Sequence, residues 1–327
     1  MRELDVLILR LLAEADEPLG STRLAELLRE RFGLEYTTRT IRYRLRHLEE
    51  QGLIERVRRG GRYVGARLTP KGERMLKLAT SHERSRMYLS ILEEMAYRCT
   101  FDPERGQGTV VCNVTVLHRD HLDDLIDAVV ETYRAGLAPS PLIAIEEEPP
   151  TPDVPVRKNE IAVLTVCTIT IDGVLLNHGI PTHPVCGGLL YYEDREPIGF
   201  QEYIRYEGTT IDPLHAFVTQ RMTSVEDILD EGAGLLPANV RYVPWAAADE
   251  VDRIETQLKR ADVHGIIDTP RIEGEILGLP LPPRSLGIAA CGGLVPIALL
   301  EERGITTRTY PTRVLRDYRD LQDARRY

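Results

Sequence analysis

Two sets of side chains in this sequence have types and spacings that suit chemistry. The first is a run of basic and hydrogen-bonding residues, Thr38, Arg39, Arg42, Tyr43, Arg44 and Arg46, followed by Arg59 and Arg62 in a glycine turn. Guanidinium forks at helical spacing match guanine edges and phosphates. The second set lies in three short segments further along. These are Cys167-Thr168, the run Glu207-Gly208-Thr209-Thr210 with Asp212 before Pro213, and Cys291-Gly292-Gly293. Amides beside glycine, threonine hydroxyls and helix starts suit a carboxylate ligand. A tight turn with an Asp212 cap accounts for the middle segment equally well, and a strand-end cysteine is more often inert core.

Other chemistries find little support. There is no Walker loop, GxGxxG, GxSxG or HExxH, and no acid–base pair stands out, so an enzyme is not expected. His178, His183 and Cys186 are close in sequence, but their spacing matches no strong ligand pattern and no metal is expected. The five cysteines are scattered and odd in number, which points to a reducing cytoplasm and away from a disulfide framework. No apolar run reaches the roughly 18 residues of a membrane span, and the N-terminus does not read as a signal peptide.

Net charge is -10, yet residues 38–77 hold twelve Lys and Arg against four Glu. A local excess of +8 on an otherwise acidic chain marks a nucleic-acid surface. The elements around it are those of a winged helix-turn-helix. Leu4, Leu7, Leu11 and Leu12 predict a first helix; Gly20-Ser21-Thr22 opens a second, with Leu24, Leu27 and Leu28 inward. Thr37 or Thr38 caps a third, Thr38–Gln51, with Ile41, Leu45 and Leu48 as its apolar stripe. Residues 53–57 and 63–68 predict two strands joined by the arginine-bearing turn Arg58–Arg62, a wing. Thr69-Pro70 then opens a further helix.

Residues 70–98 read as one nearly continuous helix, either a connector or a dimer helix. Beyond it the pattern is α/β. Strands are predicted at 110–117, 142–145, 161–171, 199–206, 235–243, 264–267 and 286–290, and helices at 120–134 and 247–260. The segment Leu164–Cys167 aligns with Ile288–Cys291, and Asn177–Ile180 with Glu302–Ile305, at offsets of 124 and 125. An internal duplication would bring the loops after Cys167 and Cys291 to a pseudo-two-fold axis. The expected domains are a winged helix at 1–80, a connecting helix at 81–100 and an α/β effector-binding domain at 101–327.

The winged-helix segment resembles the one attached to the NrpR family. FDPERGQG (101–108), TVCTITIDGVLLNHGIPTHP (165–184), YEGTTIDPL (206–214), RMTSV (221–225) and CGGLVPIALLEERGI (291–305) resemble the family's nitrogen-regulatory domain. The resemblance implies a cytoplasmic homodimeric repressor of nitrogen-assimilation genes. Such a protein binds a palindromic double-stranded DNA operator and releases it when 2-oxoglutarate accumulates, with Cys167 in the effector cleft. The chain departs from the family at Cys186, where a larger apolar residue is usual, and at Val295, where asparagine is usual. It carries one sensing domain where some of the family carry two. Arg205 and Arg221 flank the motifs and are both candidates for an effector carboxylate. The alternatives are a regulator of another pathway sensing a different metabolite, and a small-molecule enzyme tethered to DNA.

Overall fold

A computed structural model describes residues 3–15, 17–32, 34–76, 87–269 and 272–327. The chain divides into two compact units, Met1–Arg86 and Met87–Tyr327.

In the first unit, helix α1 (Glu3–Glu14) buries Ile8, Leu9, Leu11 and Leu12, with Leu4 and Leu7 packed at the margin of the core. The inward face is thus turned slightly from the leucine stripe expected. Helix α2 (Ser21–Phe32) buries Leu24, Leu27 and Leu28. Helix α3 (Thr38–Glu50) is capped by Thr37, whose hydroxyl accepts from the Thr40 amide at 3.2 Å, and it buries Ile41, Leu45 and Leu48. Each such side chain contributes about 1.5–3 kcal/mol by leaving water. Strands β1 (Ile54–Arg59) and β2 (Arg62–Leu68) pair antiparallel with Ile54 opposite Leu68. The chain before α2 is pinned under this hairpin by a Leu19–Ala66 bridge. Gly65 is required there, because a Cβ would fall 2.6 Å from the Pro18 carbonyl oxygen. Residues 70–76 are helical, with Thr69 Oγ1 accepting from the Gly72 amide at 3.0 Å. The expected continuous helix over 70–98 is corrected: Met87 has a non-helical, extended backbone (ψ 129°) and a new helix starts at Tyr88, while residues 77–86 lie outside the described residues.

The second unit begins with helix α4 (Tyr88–Arg98). Two β-α-β-β-α-β passes follow. The first is β3 (Thr109–His118), α5 (Leu122–Arg134), β4 (Leu142–Glu146), β5 (Glu160–Val166), α6 (Ile169–Asn177) and β6 (His183–Glu193). Between the passes lie β7 (Glu196–Arg205), α7 (Pro213–Thr219) and α8 (Val225–Glu231). The second pass is β8 (Gly234–Pro244), α9 (Ala248–Arg260), β9 (Ile266–Asp268), a short β10–β11 hairpin (Glu275–Ile276, Leu279–Pro280), β12 (Ser285–Cys291), α10 (Val295–Glu302) and β13 (Arg308–Asp317). Strand β14 (Gln322–Asp323) ends the series.

The passes run in step and share a ferredoxin-like order, but each gives its last strand to the other. The sheets are β13-β3-β5-β4-β14 and β7-β6-β8-β12-β9. Strand β6 of the first pass pairs with β8 of the second, and β13 of the second pairs with β3 of the first. Helices cross over too, α10 packing on α5 and α9 on α6. The two main apolar clusters therefore draw residues from both passes, for example Val114 with Ile288, and Leu125 with Leu299.

One expectation is corrected. The run at 161–171 is not a single strand: β5 stops at Val166 and α6 starts at Ile169. Ile169, Thr170, Ile171, Asp172, Gly173 and Val174 are all buried, so this helix has no polar face to reveal its period. Likewise, the helix after Cys291-Gly292-Gly293 begins only at Val295.

Candidate DNA-reading face and effector site

On α3 the inward stripe fixes the helix, and Arg39, Arg42 and Arg46 lie on its exposed side. Tyr43 is 65% exposed and Thr38 is half-buried, with its hydroxyl accepting from Arg42 Nη2 at 3.3 Å. Arg44 is a correction. It is buried with Asp5 of α1: Nε donates to Oδ1 at 2.7 Å, and Nη2 pairs with Oδ2. The fork is spent clamping α3 to α1 and is not offered to a base. On the wing, Arg56 lies over the Tyr63 ring at 5.3 Å and pairs with Glu49 at 2.8 Å. The turn carrying Arg59 and Arg62 sits at Gly60-Gly61, both glycines with positive φ.

The second set of residues converges in the larger unit. Asn113 and Asn239 occupy equivalent places on β3 and β8, and both are buried. Each reaches the loop of the other pass: Asn113 Nδ2 donates to Gly293 O at 3.2 Å, and Asn239 Nδ2 donates to Thr168 Oγ1 at 2.8 Å. A Cβ on Gly293 would lie 2.9 Å from Val166 O and 3.2 Å from Cys167 Cα. The Cys167 and Cys291 loops thus meet at the junction of the two passes.

Beside Cys167 stands a polar cluster. Its Sγ is 3.6 Å from Thr312 Oγ1, which lies 3.0 Å from the Tyr88 hydroxyl. That hydroxyl donates to Asp212, and the Tyr88 amide donates to Thr209 O at 2.8 Å. Thr312 is held at φ +49°, costly for a β-branched residue, by a bulge in β13 and by its amide donating to Asn113 Oδ1 at 2.9 Å. Burial pushes the Cys167 thiol up to about 11 and the Tyr88 phenol well above its ordinary range. Burial also raises the Asp212 carboxyl, a shift opposed by the Tyr88 hydrogen bond.

Part of the expected anion cradles is occupied from within the chain. Asp212 Oδ1 accepts from the Leu214 and His215 amides, and Thr209 Oγ1 accepts from the Ile211 amide. The Gly292 amide donates to Pro237 O, and Cys291 Sγ to Gly265 O at 3.1 Å. Glu207, Gly208 and Thr210 face solvent. Arg205 and Arg221 are exposed as well.

Sequence reasoning missed Tyr88, Asn113, Asn239, Thr312 and a buried ion pair, Arg241 with Asp172. Arg241 Nε donates to Asp172 Oδ1 at 3.1 Å, Arg241 Nη2 donates to Asn239 Oδ1 at 2.8 Å, and Thr182 Oγ1 donates to Asp172 Oδ1 at 2.6 Å. An arginine inside the apolar strand at 238–243 was the available signal. Elsewhere, His183 stacks on Tyr242 at 4.7 Å, His178 Nδ1 lies 2.9 Å from Val174 O, and Cys186 is buried on β6.

Comparison with known proteins agrees with both units. A family model of the NrpR regulatory domains NRD1 and 2 matches residues 86–323, and one of the ribonuclease R winged-helix domain matches residues 6–76. The global nitrogen regulator NrpRI of Methanosarcina mazei is 34% identical over 97% of this chain and 96% of its own length. The global nitrogen regulator NrpR of Methanococcus maripaludis is 30% identical over 98% of this chain, and that of Methanocaldococcus jannaschii 32% identical over 93%. The chain spans only 55% and 52% of those two proteins. The crystal structure of a nitrogen repressor-like protein from Methanococcus jannaschii shares the fold, with a TM-score of 0.62 at 24% identity over 73% of this chain and 99% of that one. The chain belongs to the NrpR family of nitrogen regulators, which act in transcription regulation and are not enzymes.

Proposed function

We propose that this protein is a homodimeric repressor of nitrogen-assimilation genes that binds a palindromic operator and is released from it by 2-oxoglutarate. The observation that carries the reading is the pairing, in one chain, of an exposed basic recognition helix with an NrpR-type regulatory unit over residues 86–323. Arg39, Arg42, Tyr43 and Arg46 supply the face that reads DNA, and the Arg59–Arg62 turn supplies the wing. Two-fold dimers match palindromic half-sites.

The family resemblance supports 2-oxoglutarate as the effector. The buried polar cluster around Cys167, Thr168, Asn239 and Asn113 supports a site at the junction of the two passes. A ligand there bears on both passes at once, because their last strands are exchanged. Switching needs the effector to bind one dimer geometry more tightly than the other, and a coupling of about 1–3 kcal/mol gives a 5–150-fold change in operator affinity. Calorimetric titration of the full chain with 2-oxoglutarate tests the reading. Saturable binding with one site per chain is expected; no heat at millimolar ligand would refute the effector.

A further inference from the structure

The Arg241–Asp172 pair is 1% and 0% exposed. Burying two charges costs several kcal/mol each before their attraction repays it, and a well-packed apolar pair often serves the fold as well. The duplication supplies an internal comparison. Asn113 and Asn239, opposite Thr165 and Ala290, are counterparts by their reciprocal contacts with the loop of the other pass, at an offset of 126. Two residues further on, Thr115 stands where Arg241 does. On the helices, the offset of 125 between Asn177–Ile180 and Glu302–Ile305 sets Ile297 of α10 against Asp172 of α6, and the offset of 126 between the helix starts sets Ala298 there; both are buried and uncharged. The first-pass strand and second-pass helix are built at these positions without charge. The fold has no general need of the ion pair.

The guanidinium is also incompletely used. Its Nε and Nη2 are held by Asp172 and Asn239, whereas Nη1 is buried and has no hydrogen-bond partner among the described residues. A buried unpaired donor is costly, and native structures keep few of them. Arg241 is joined through Asn239 to Thr168, next to Cys167. The arginines flanking the motifs, Arg205 and Arg221, are both exposed.

We propose that Arg241 is the effector-binding arginine, its Nη1 taking a carboxylate of the ligand while Asp172 and Asn239 fix the plane of the fork. The proposal rests on the effector reading above and names the residue that reading lacked. The ligand class is a small carboxylate. Asp172 already balances the guanidinium charge, and its repulsion weighs less on a single carboxylate than on a dianionic phosphate. Asp172 acts as a positioning residue.

The test uses the full chain, calorimetry with 2-oxoglutarate, and thermal melting of each protein. Arg241→Lys keeps the charge but loses the planar fork; it is expected to fold and to bind at least about tenfold more weakly. The double variant R241T/D172I copies the residues of the other pass and leaves no orphan charge. It is expected to melt within about 5 °C of the parent and to show no binding. If the parent binds and either folded variant binds as tightly, Arg241 is not the carboxylate residue, although the effector reading stands. If the double variant does not fold, the pair serves the fold and the inference is overturned. If the parent itself does not bind 2-oxoglutarate, the effector reading fails, and this inference with it.

Discussion

Arg42 and Arg44 are two residues apart on α3 and have opposite fates. Arg42 is exposed and free to reach DNA; Arg44 is buried against Asp5. Arg42→Ala is expected to leave the melting temperature unchanged and to weaken operator binding by about 1–3 kcal/mol if it reads a base. Arg44→Ala removes the guanidinium that clamps Asp5 and should destabilise the N-terminal unit, by up to about 3–5 kcal/mol, read by chemical denaturation. Equal melting of the two variants would contradict this division. Spacing alone could not make the distinction, because a helix face does not say whether a long side chain turns inward to a partner 39 residues away. The cysteines carry a second prediction at this scale. All five are buried, and burial pushes the Cys99 and Cys167 thiols up to about 11 and those of Cys186 and Cys291 to about 12. Only a thiolate reacts readily. At pH 7–8 a thiol reagent should therefore modify the native protein far more slowly than the denatured one, which should yield five equivalents. Rapid native labelling of Cys167 would show its loop to be open.

Among the elements, the winged helix was legible because each of its helices has one apolar stripe and its turns use glycine or proline. The α5 and α9 helices were legible for the same reason. What misled was the stretch 161–171, a run rich in β-branched residues that changes from strand to helix while every residue, its threonines included, stays buried, so no polar face betrays a period. The short strands β10, β11 and β14 carry too few residues for any pattern. Tyr88 gave no signal either, since its value comes from its hydrogen bonds to Asp212 and Thr209, both far along the chain. Of the candidate site, the Cys167 loop and its meeting with the Cys291 loop were readable from the repeat. The capping of the Pro213 helix by Asp212 could not be told from an anion cradle, because a helix start reads the same whether its cap is inside the chain or is a ligand.

For the whole molecule, the repeat offset foresaw two related passes but could not show that they exchange their last strands. Pairing partners are set by tertiary packing, and the exchanged strands β6 and β13 are not among the strands expected from the sequence. The exchange makes the passes interdependent. Residues 87–233 expressed alone would leave β6 without β8 and β3 without β13, so that fragment should fail to give a cooperative unfolding transition. A folded monomeric fragment would argue against the exchange. The same interlocking suits a regulator, because a ligand at the junction bears on both sheets together. The central claim is that effector occupancy there lowers the protein's hold on its operator. The most direct measurement is fluorescence anisotropy of labelled palindromic operator titrated with the full chain at fixed salt, with and without millimolar 2-oxoglutarate. The ligand is expected to weaken binding at least about tenfold; an operator affinity unchanged by the ligand would refute release by 2-oxoglutarate.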